Sequence, residues 1–385
     1  MRLLHVISST NPTHGGPIEG VKQLHSAHSA LGIQAHVVSC DAPDSPWLSQ
    51  PGLLQITALG PGKGRFGYAP ALLAWLRQNA HRYDAVIVNG IWQYHCFAAH
   101  QALKGTGIPY FVFTHGMLDP WFKRTYPLKH LKKWLYWPWG QYPALRDANA
   151  VIFTCEEERL LARESFWLYK VREAVTSYGT ASPTADAHCS TQLFVGTFPE
   201  VINKRVILFL GRIHEKKGCD LLIEAFARVA SHDGRLHLVM AGPDQTGWAA
   251  ELKARAELLG VAERITWAGM LEGDLKWGAF HACEVFALPS HQENFGIAVA
   301  EALAVGKAVL ISNKVNIWRE IESAQGGFVG NDDLAGTEQV LRRWLDLSAQ
   351  EREAMSLRAK ACFMEKFHIR RAAERLVEII KEYGA

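Results

Sequence analysis

The sequence lacks the features that define several large protein classes. No run of about 18 apolar residues occurs, so no helix that spans a bilayer is expected. The first apolar stretch is only about five residues long and has one Arg before it, which is too short for a signal peptide. The seven cysteines are scattered, without a C-x-x-C pair, which argues against a disulfide framework and a structural zinc site. These absences predict a cytoplasmic protein.

The charge balance also lacks an excess of either sign. Lys and Arg number 41 against 38 Asp and Glu, and the formal net charge is +3, which is too balanced to indicate nucleic-acid binding. The composition, 48% hydrophobic and 21% charged, is that of an ordinary globular protein. A length of 385 residues exceeds the usual single domain, so two domains are expected.

Short apolar, β-branched runs alternate with helical patterns along the whole chain. A polar stretch at 178–191 separates two sets of such runs, and a helical tail follows at 349–383. Alternating strands and helices predict parallel sheets covered on both faces, here two of them. The expected strands are 3–9, 35–40, 84–90, 109–116 and 149–155 in the first set, and 205–211, 235–242, 264–269, 284–290 and 307–312 in the second. Ligands of such sheets bind beyond the carboxyl ends of the strands, in a cleft if two sheets face each other.

Two cations follow the strand expected at 205–211. Arg212 and Lys217 leave the strand end, and Gly218 precedes a helix, in the sequence GRIHEKKGCDLLIEAF. Two positive charges beside a helix N-terminus make a site for a dianion. The alternative is a solvated turn with ordinary surface charges.

Two carboxylates flank the start of a helix in HQENFGIAVAEALAVG. Glu293 lies in the loop, and the amides of Phe295, Gly296 and Ile297 open the helix. Glu301 lies among small apolar residues, so we expect it to be buried and to need a hydrogen-bond donor, which we assign to a bound ligand. A diol such as a ribose could supply that donor. The alternative is a polar residue on an exposed helix face.

Two further candidates lie in the first half. Gly15 and Gly16 allow a backbone to approach a ligand closely, although the loop 8–21 could simply be flexible. His115 follows an apolar strand, where a histidine is either structural or functional.

The segment 121–143 is basic and aromatic. It carries five Lys or Arg residues and no acidic residue, among four tryptophans and three tyrosines. This composition favours an anionic membrane surface. A core-facing or inter-domain helix, or stacking on a sugar acceptor, are the alternatives.

Taken together, these motifs resemble the retaining glycosyltransferases of family 4, which have the two-domain GT-B fold. Their E-x7-E signature matches Glu293 and Glu301, and their G-R-x4-K-G signature matches 211–218. Their glycine pair matches Gly15 and Gly16. The stretch THGMLDPW (114–121) further resembles a bacterial subgroup that builds envelope or extracellular polysaccharides, including heterocyst-envelope enzymes.

The resemblance implies roles around a nucleotide-sugar donor. Arg212 and Lys217 would hold the diphosphate, Glu301 the ribose and Glu293 the donor sugar. The segment Asn294–Ile297 would contact sugar or phosphate, and the base would lie near Gly269 and Met270. No metal or other cofactor is expected, because the two cations replace a divalent ion.

In the first domain, Gly15 and Gly16 would approach the phosphate, and His115 would touch the sugar near the reacting carbon. The resemblance also places a domain boundary after residue 182, with a helix from 367–385 returning to the first domain. The family's linker sequence is replaced by Tyr178-Gly179-Thr180-Ala181, so its contacts cannot be carried over.

The expected activity is transfer of glucose from UDP-glucose to a glycan or lipid-linked acceptor in polysaccharide biosynthesis, at the inner face of the plasma membrane. The alternatives are a nucleotide-sugar epimerase on the same fold and a non-catalytic carbohydrate-binding relative. An epimerase would convert the donor without any acceptor.

Overall fold

The computed structural model describes residues 1–12, 16–49, 54–125, 127–184 and 186–384, without the side chains of Ser49 and Arg124. Contacts divide the chain into two compact units. The N-terminal unit comprises Met1–Gly179 and Ile369–Ala385, and the C-terminal unit comprises Thr180–His368. The boundaries expected from the sequence, after 182 and before 367, lie within a few residues of these.

A parallel sheet forms the centre of the N-terminal unit. Among the described residues its strand order is β3-β2-β1-β4-β5-β6-β7. The strands are β1 (Arg2–Ile7), β2 (Gln34–Ser39), β3 (Gln55–Ala58), β4 (Ala85–Asn89), β5 (Tyr110–Phe113), β6 (Ala150–Phe153) and β7 (Glu173–Val175). All five residues of β4, AVIVN, are buried. A continuous apolar run is what a parallel strand needs when helices cover both of its faces.

Helices cover both faces of this sheet. They are α1 (Gly16–Ala30), α2 (Pro70–Asn79), α3 (Tyr94–Leu103), α4 (Trp121–Thr125), α5 (Pro127–Tyr136), α6 (Tyr142–Arg146), α7 (Glu156–Ala162) and α16 (Ile369–Tyr383). Alternating side chains of β1 pack on opposite faces of the sheet, because successive side chains of a strand point to opposite sides. Leu4 and Val6 join one core cluster, whereas Ile7 packs with Ile18 and Val21 of α1 in another.

The C-terminal helix α16 belongs to the N-terminal unit. It packs against α1, and the Asn149 side-chain amide donates to the Tyr383 carbonyl oxygen at 2.8 Å. The expected return of this helix is therefore confirmed.

The C-terminal unit repeats the architecture. Its described strands follow the order β10-β9-β8-β11-β12-β13, all parallel. They are β8 (Arg205–Leu210), β9 (Leu236–Ala241), β10 (Ile265–Gly269), β11 (Val285–Leu288), β12 (Val309–Ser312) and β13 (Gly327–Gly330). The helices are α8 (Ala187–Thr197), α9 (Cys219–Val229), α10 (Ala249–Leu258), α11 (Gly273–Ala282), α12 (Ile297–Ala304), α13 (Trp318–Ala324), α14 (Leu334–Leu345) and α15 (Ala349–Cys362). The expected class, two doubly wound α/β domains, is confirmed.

The segment 121–143 divides into an exposed and a buried part. No residue of α5 is buried, so this helix adds no side chain to the core, whereas the residues after it do. Trp137 and Tyr142, which follow α5, are buried in the core.

Two sequence-level expectations can be compared directly with the structure. In the described ranges no helix is both long and apolar enough to cross a membrane. All seven cysteines fall in those ranges and are free thiols.

Candidate active site

The candidate donor site lies at the carboxyl edge of the C-terminal sheet. The strand order reverses between β8 and β11, since the chain builds outward from β8 to β9 and β10 and then returns to β11 on the other side. Such a switch point leaves a crevice between loops that leave in opposite directions, and open α/β sheets bind ligands there. The loop after β8 carries Lys217, and the loop after β11 carries Glu293.

Gly218 fixes the loop after β8 against the exit of β11. Its φ is +65°, and a Cβ built on it would lie 2.2 Å from the carbonyl oxygen of Pro289. Both the left-handed conformation and the absence of space require glycine. Since α9 begins at the next residue, Gly218 determines the position of the first backbone amides of α9, which have no partner within the helix.

Lys217 and Glu293 form an ion pair across the switch point. Their side chains are 13% and 21% exposed, so the pair is largely removed from water. Burial, followed by the positive charges of Lys216 and Arg212, lowers the pKa of Lys217 to about 7. The carboxylate of Glu293 acts in the opposite direction, because a contacting negative charge favours the protonated amine. A dianion bound here would likewise raise the pKa of Lys217 and keep its amine protonated.

The backbone of Glu293 is fixed by the neighbouring loop. Its amide donates to the Lys314 carbonyl oxygen at 2.9 Å, and its carbonyl oxygen accepts from the Asn316 amide at 3.0 Å. Gly296 then adopts φ +75° as the N-cap of α12, so the amides of Phe295 to Ile297 lie at a helix start, as expected. Asn294 is half-buried in this turn.

Glu301 is buried on α12, with 8% of the residue exposed. Its Oε1 accepts a hydrogen bond from Nζ of Lys276, which lies on α11, at 2.7 Å. The expected donor, a bound ligand, is therefore wrong, because Lys276 supplies a donor from within the chain. Burial of Glu301 agrees with the expectation.

The remaining residues predicted in this unit lie at strand ends. Arg212 is exposed after β8. Gly269 ends β10 with φ +65°, and Met270 after it is 61% exposed. The structure therefore brings the predicted loops to one edge of one sheet and joins Lys217 directly to Glu293.

In the N-terminal unit, Gly16 opens α1 beneath a tyrosine, and Gly15 lies outside the described residues. The Tyr178 hydroxyl donates to the Gly16 carbonyl oxygen and accepts from the Gly20 amide at 3.1 Å. Asp41 holds Thr10, which follows β1, since its carboxylate accepts from the Thr10 amide and hydroxyl, each at 2.7 Å. The start of α1 is anchored by Tyr178.

His115 lies just past β5 in a strained backbone conformation, with φ +48°. Its ring stacks on Phe113, with centroids 5.3 Å apart. Burial, and to a smaller extent His95, lowers the pKa of His115 to about 3, so the ring is neutral near pH 7.

Glu158 of α7 holds the turn that carries His115. Its carboxylate accepts from the Thr114 hydroxyl at 2.7 Å and from the Gly116 amide at 2.6 Å. It also accepts from the amide and hydroxyl of Thr154, at 2.7 and 2.6 Å. Strained backbone persists only where its surroundings fix it, and Glu158 provides that support.

The partners of the candidate residues carry no local motif in the sequence. They are Lys276, Tyr178, Asp41 and Glu158. No group of three or more His, Cys, Asp or Glu side chains in the described ranges could hold a metal ion.

Comparison with known proteins identifies the class. A family model for the glycosyl transferases group 1 matches residues 197–361, and a model for the glycosyl transferase 4-like domain matches residues 15–179. Each model matches 165 of the 385 residues, one in each unit, and together they cover most of the chain. The chain therefore belongs to the family 4 glycosyltransferases with the GT-B fold.

Individual relatives are similar over shorter stretches. The mannosylfructose-phosphate synthase of Agrobacterium fabrum is 31% identical over 123 residues, which are 30% of this chain and 27% of that protein. The D-inositol 3-phosphate glycosyltransferase of Mycolicibacterium gilvum is 36% identical over 109 residues, 28% of this chain and 24% of that protein. The chain thus matches about a quarter of the length of these relatives.

Solved structures match the whole length. HepE of Anabaena, in complex with UDP and glucose, superimposes with a TM-score of 0.76 at 19% identity, over 99% of this chain and 100% of that one. Sucrose-phosphate synthase of Thermosynechococcus elongatus gives 0.76 at 17% identity, over 99% of each chain. At these identities the likeness shows the fold.

Proposed function

We propose that this chain is a retaining, metal-independent glucosyltransferase that uses UDP-glucose and a glycan or lipid-linked acceptor in polysaccharide biosynthesis. The ion pair of Lys217 and Glu293 at the switch point carries the proposal. A cation beside a helix start suits the donor diphosphate, and the adjacent carboxylate suits sugar hydroxyls. HepE, which shares the fold, has been solved with UDP-glucose, and this supports the choice of donor.

The pair gives donor binding a defined sequence of contacts. Without a donor, Lys217 and Glu293 neutralise each other. When the diphosphate binds Lys217, it replaces Glu293 as the negative partner of the ammonium group. Glu293 can then accept hydrogen bonds from the sugar hydroxyls. Arg212 adds a second positive charge, and together the two cations stabilise the diphosphate as it leaves. These cations do the electrostatic work of a divalent ion.

Retention normally requires a carboxylate nucleophile on the enzyme. Here Glu293 contacts Lys217 and Glu301 contacts Lys276, so each of these two carboxylates is already neutralised by an ammonium group. We therefore favour attack from the face of the leaving group, with the departing phosphate taking the proton of the acceptor. In this proposal Glu301 binds the ribose, Gly269 and Met270 lie near the base, and Asn294 to Ile297 contact the donor. Gly15, Gly16 and His115 contribute from the first domain.

The test is nucleotide release from purified protein with UDP-, GDP- and ADP-sugars, in a chelator and with candidate acceptors. Release of UDP from UDP-glucose is expected. Glu293→Ala and Lys217→Ala should each abolish most transfer while the fold remains. Glu338→Ala, which breaks an ion pair with Arg228 on the helices α9 and α14, is the matched control and should keep full activity.

Two results would contradict the proposal. Full activity of either site variant would remove the role of that residue. Interconversion of the sugar without release of nucleotide would make the enzyme an epimerase.

A lipid-linked acceptor would place the enzyme at the inner face of the plasma membrane. The basic and aromatic composition of 121–143 supports this location.

A further inference from the structure

Helix α5 packs with its polar side inward. The His130 ring stacks on Phe166 of the N-terminal unit, with centroids 4.9 Å apart. The Lys133 Nζ lies 4.7 Å from the centre of the Trp92 ring and 5.4 Å from that of Phe122. Burial of this amine lowers its pKa. The basic residues at 130 and 133 therefore face the rest of the unit.

The opposite side of α5 presents a row of large apolar residues to solvent. We call this set, with the exposed tryptophan of the following turn, the apolar row. Its members are Leu128 (78% exposed), Leu131 (53%), Trp134 (43%), Leu135 (60%) and Trp139 (83%). Leu131 lies three residues after Leu128, and Trp134 and Leu135 lie three and four residues after Leu131, so the first four share one helix face. A surface helix of a water-soluble protein normally has the reverse orientation, so the apolar row requires an apolar partner.

A groove continues the apolar row toward the segment after α7. Its volume is about 780 Å³, and its apolar lining includes Leu131, Trp134 and Trp167. Its charged lining comprises Lys123 and Arg163 with one carboxylate, that of Glu164. The Trp134 and Trp167 rings lie 6.1 Å apart at its wall. Aromatic side chains beside a cation are typical of the boundary between lipid headgroups and acyl chains.

The charges around the row indicate which apolar partner it has. Lys129 and Lys132 are exposed beside it, and the segment 121–143 contains no acidic residue. A two-fold contact between copies would place the same patch against itself, and the lysines of one copy would face those of the other. A bilayer with anionic lipid offers an apolar interior and a negative surface together.

We propose that the apolar row inserts into the interface of an anionic lipid bilayer, with Lys129 and Lys132 at headgroup level. The inference deepens the proposed function and rests on it for the biological purpose, because docking would bring the donor site to a lipid-linked acceptor. The surface itself is argued from packing and charge alone.

Vesicle co-sedimentation of the full chain tests the inference without any donor or acceptor. The probes are vesicles of phosphatidylcholine and of phosphatidylcholine mixed with phosphatidylglycerol. Wild type should bind the anionic vesicles, less so as salt rises. The double variant Leu128→Glu, Leu135→Glu should bind about tenfold more weakly or worse, because two leucines no longer leave water.

The matched control is Leu258→Glu on α10, where the leucine is 89% exposed; it should bind like wild type. Thermal unfolding checks that the double variant folds. The inference is overturned if the double variant and wild type bind equally, or if wild type does not sediment with anionic vesicles at low salt. It is also overturned if wild type forms a concentration-dependent dimer through the apolar row and the double variant is a monomer. UDP release by the same preparations reports on the proposed function separately.

Discussion

The Lys276 Nζ lies 2.7 Å from Oε1 of Glu301, so a residue of α11 neutralises the carboxylate buried on α12. This contact holds the carboxylate of Glu301 in one orientation, in which we propose that it accepts from a ribose hydroxyl. A hydrogen bond to an ionised group is directional and strong. Lys276 therefore fixes the orientation in which Glu301 meets a nucleotide.

Lys276→Met should destabilise the C-terminal unit and weaken nucleotide binding. Loss of the ammonium leaves a largely buried carboxylate without this partner, which costs about 1–3 kcal/mol of the free energy of unfolding. The affinity for UDP, measured by calorimetry, should fall, whereas that for pyrophosphate, which has no ribose, should not. In a Glu301→Gln background the effect of Lys276→Met on UDP affinity should largely disappear.

Lys253→Met is the control for this experiment. Lys253 also lies over a tryptophan ring, that of Trp267 at 5.6 Å, as Lys276 lies over Trp277 at 4.7 Å. If both variants lower UDP affinity equally, the orientation of Glu301 is not the cause.

UDP affinity should decrease as the pH rises through about 7. Burial, and then Lys216 and Arg212, lower the pKa of Lys217 to about 7, and the contacting carboxylate of Glu293 opposes this shift. The diphosphate binds the protonated amine and raises its pKa, so affinity is full only at pH values well below the pKa of the free protein. Above pH 7, binding must first recover the proton, and affinity falls by at most about tenfold per pH unit. Calorimetry from pH 6 to 9 measures this decline.

Lys216→Met should move the decline to higher pH. Its positive charge lowers the pKa of Lys217, and its removal raises that pKa. Lys204→Met, on the exposed turn before β8, removes the same charge outside this site. An equal shift in both variants would show that net charge, and not proximity to Lys217, controls the affinity.

Glu158→Gln should lower kcat more than it raises KM for the donor. Four hydrogen bonds from Thr114, Gly116 and Thr154 converge on this carboxylate, and a neutral amide cannot accept all of them. The loss, about 1–3 kcal/mol, loosens the turn that carries His115. Steady-state kinetics and urea unfolding measure the two effects.

Glu157→Gln changes the neighbouring carboxylate on the same helix and should leave both measurements near wild type. If Glu158→Gln lowers stability without changing kcat, then His115 does not act in the transfer step.

The sequence predicted the central strands of both sheets because parallel strands covered on two faces must be continuously apolar. Three strands were not predicted, namely β3, β7 and β13. Each is at most four residues long and lies at a sheet edge. An edge strand has one neighbour and needs less apolar surface, so QITA, EAV and GFVG carry little pattern.

In the candidate site, too, the sequence predicts only part of the structure. Glu293, Glu301, Arg212 and Lys217 belong to motifs whose spacing is visible in the sequence, and the structure brings the loops that carry them to one sheet edge. Their partners are not visible in this way, because Lys276 is 25 positions from Glu301 and the contact exists only after α11 and α12 pack. A buried carboxylate predicts that a donor exists, but does not identify it.

The N-terminal unit should lose stability as the pH falls below about 6.5, because His5 of β1 and His28 of α1 are buried. Burial, and then the charges of neighbouring histidines, lowers the pKa of His5 to about 3. Burial also lowers the pKa of His28 to about 4, opposed by the Ala373 carbonyl and assisted by His25. Since the folded pKa values lie below the ordinary histidine value of 6.5, the unfolded chain takes up protons first, and acid favours unfolding.

His28→Leu should reduce this acid sensitivity. Between pH 7 and pH 5 the variant should lose roughly 2 kcal/mol less of its unfolding free energy than wild type, because one titrating group is removed. Urea unfolding at the two pH values measures the difference. His81→Leu, at an exposed histidine after α2, should lose as much as wild type. If His28→Leu does so too, the buried imidazole at position 28 is not a source of the acid sensitivity.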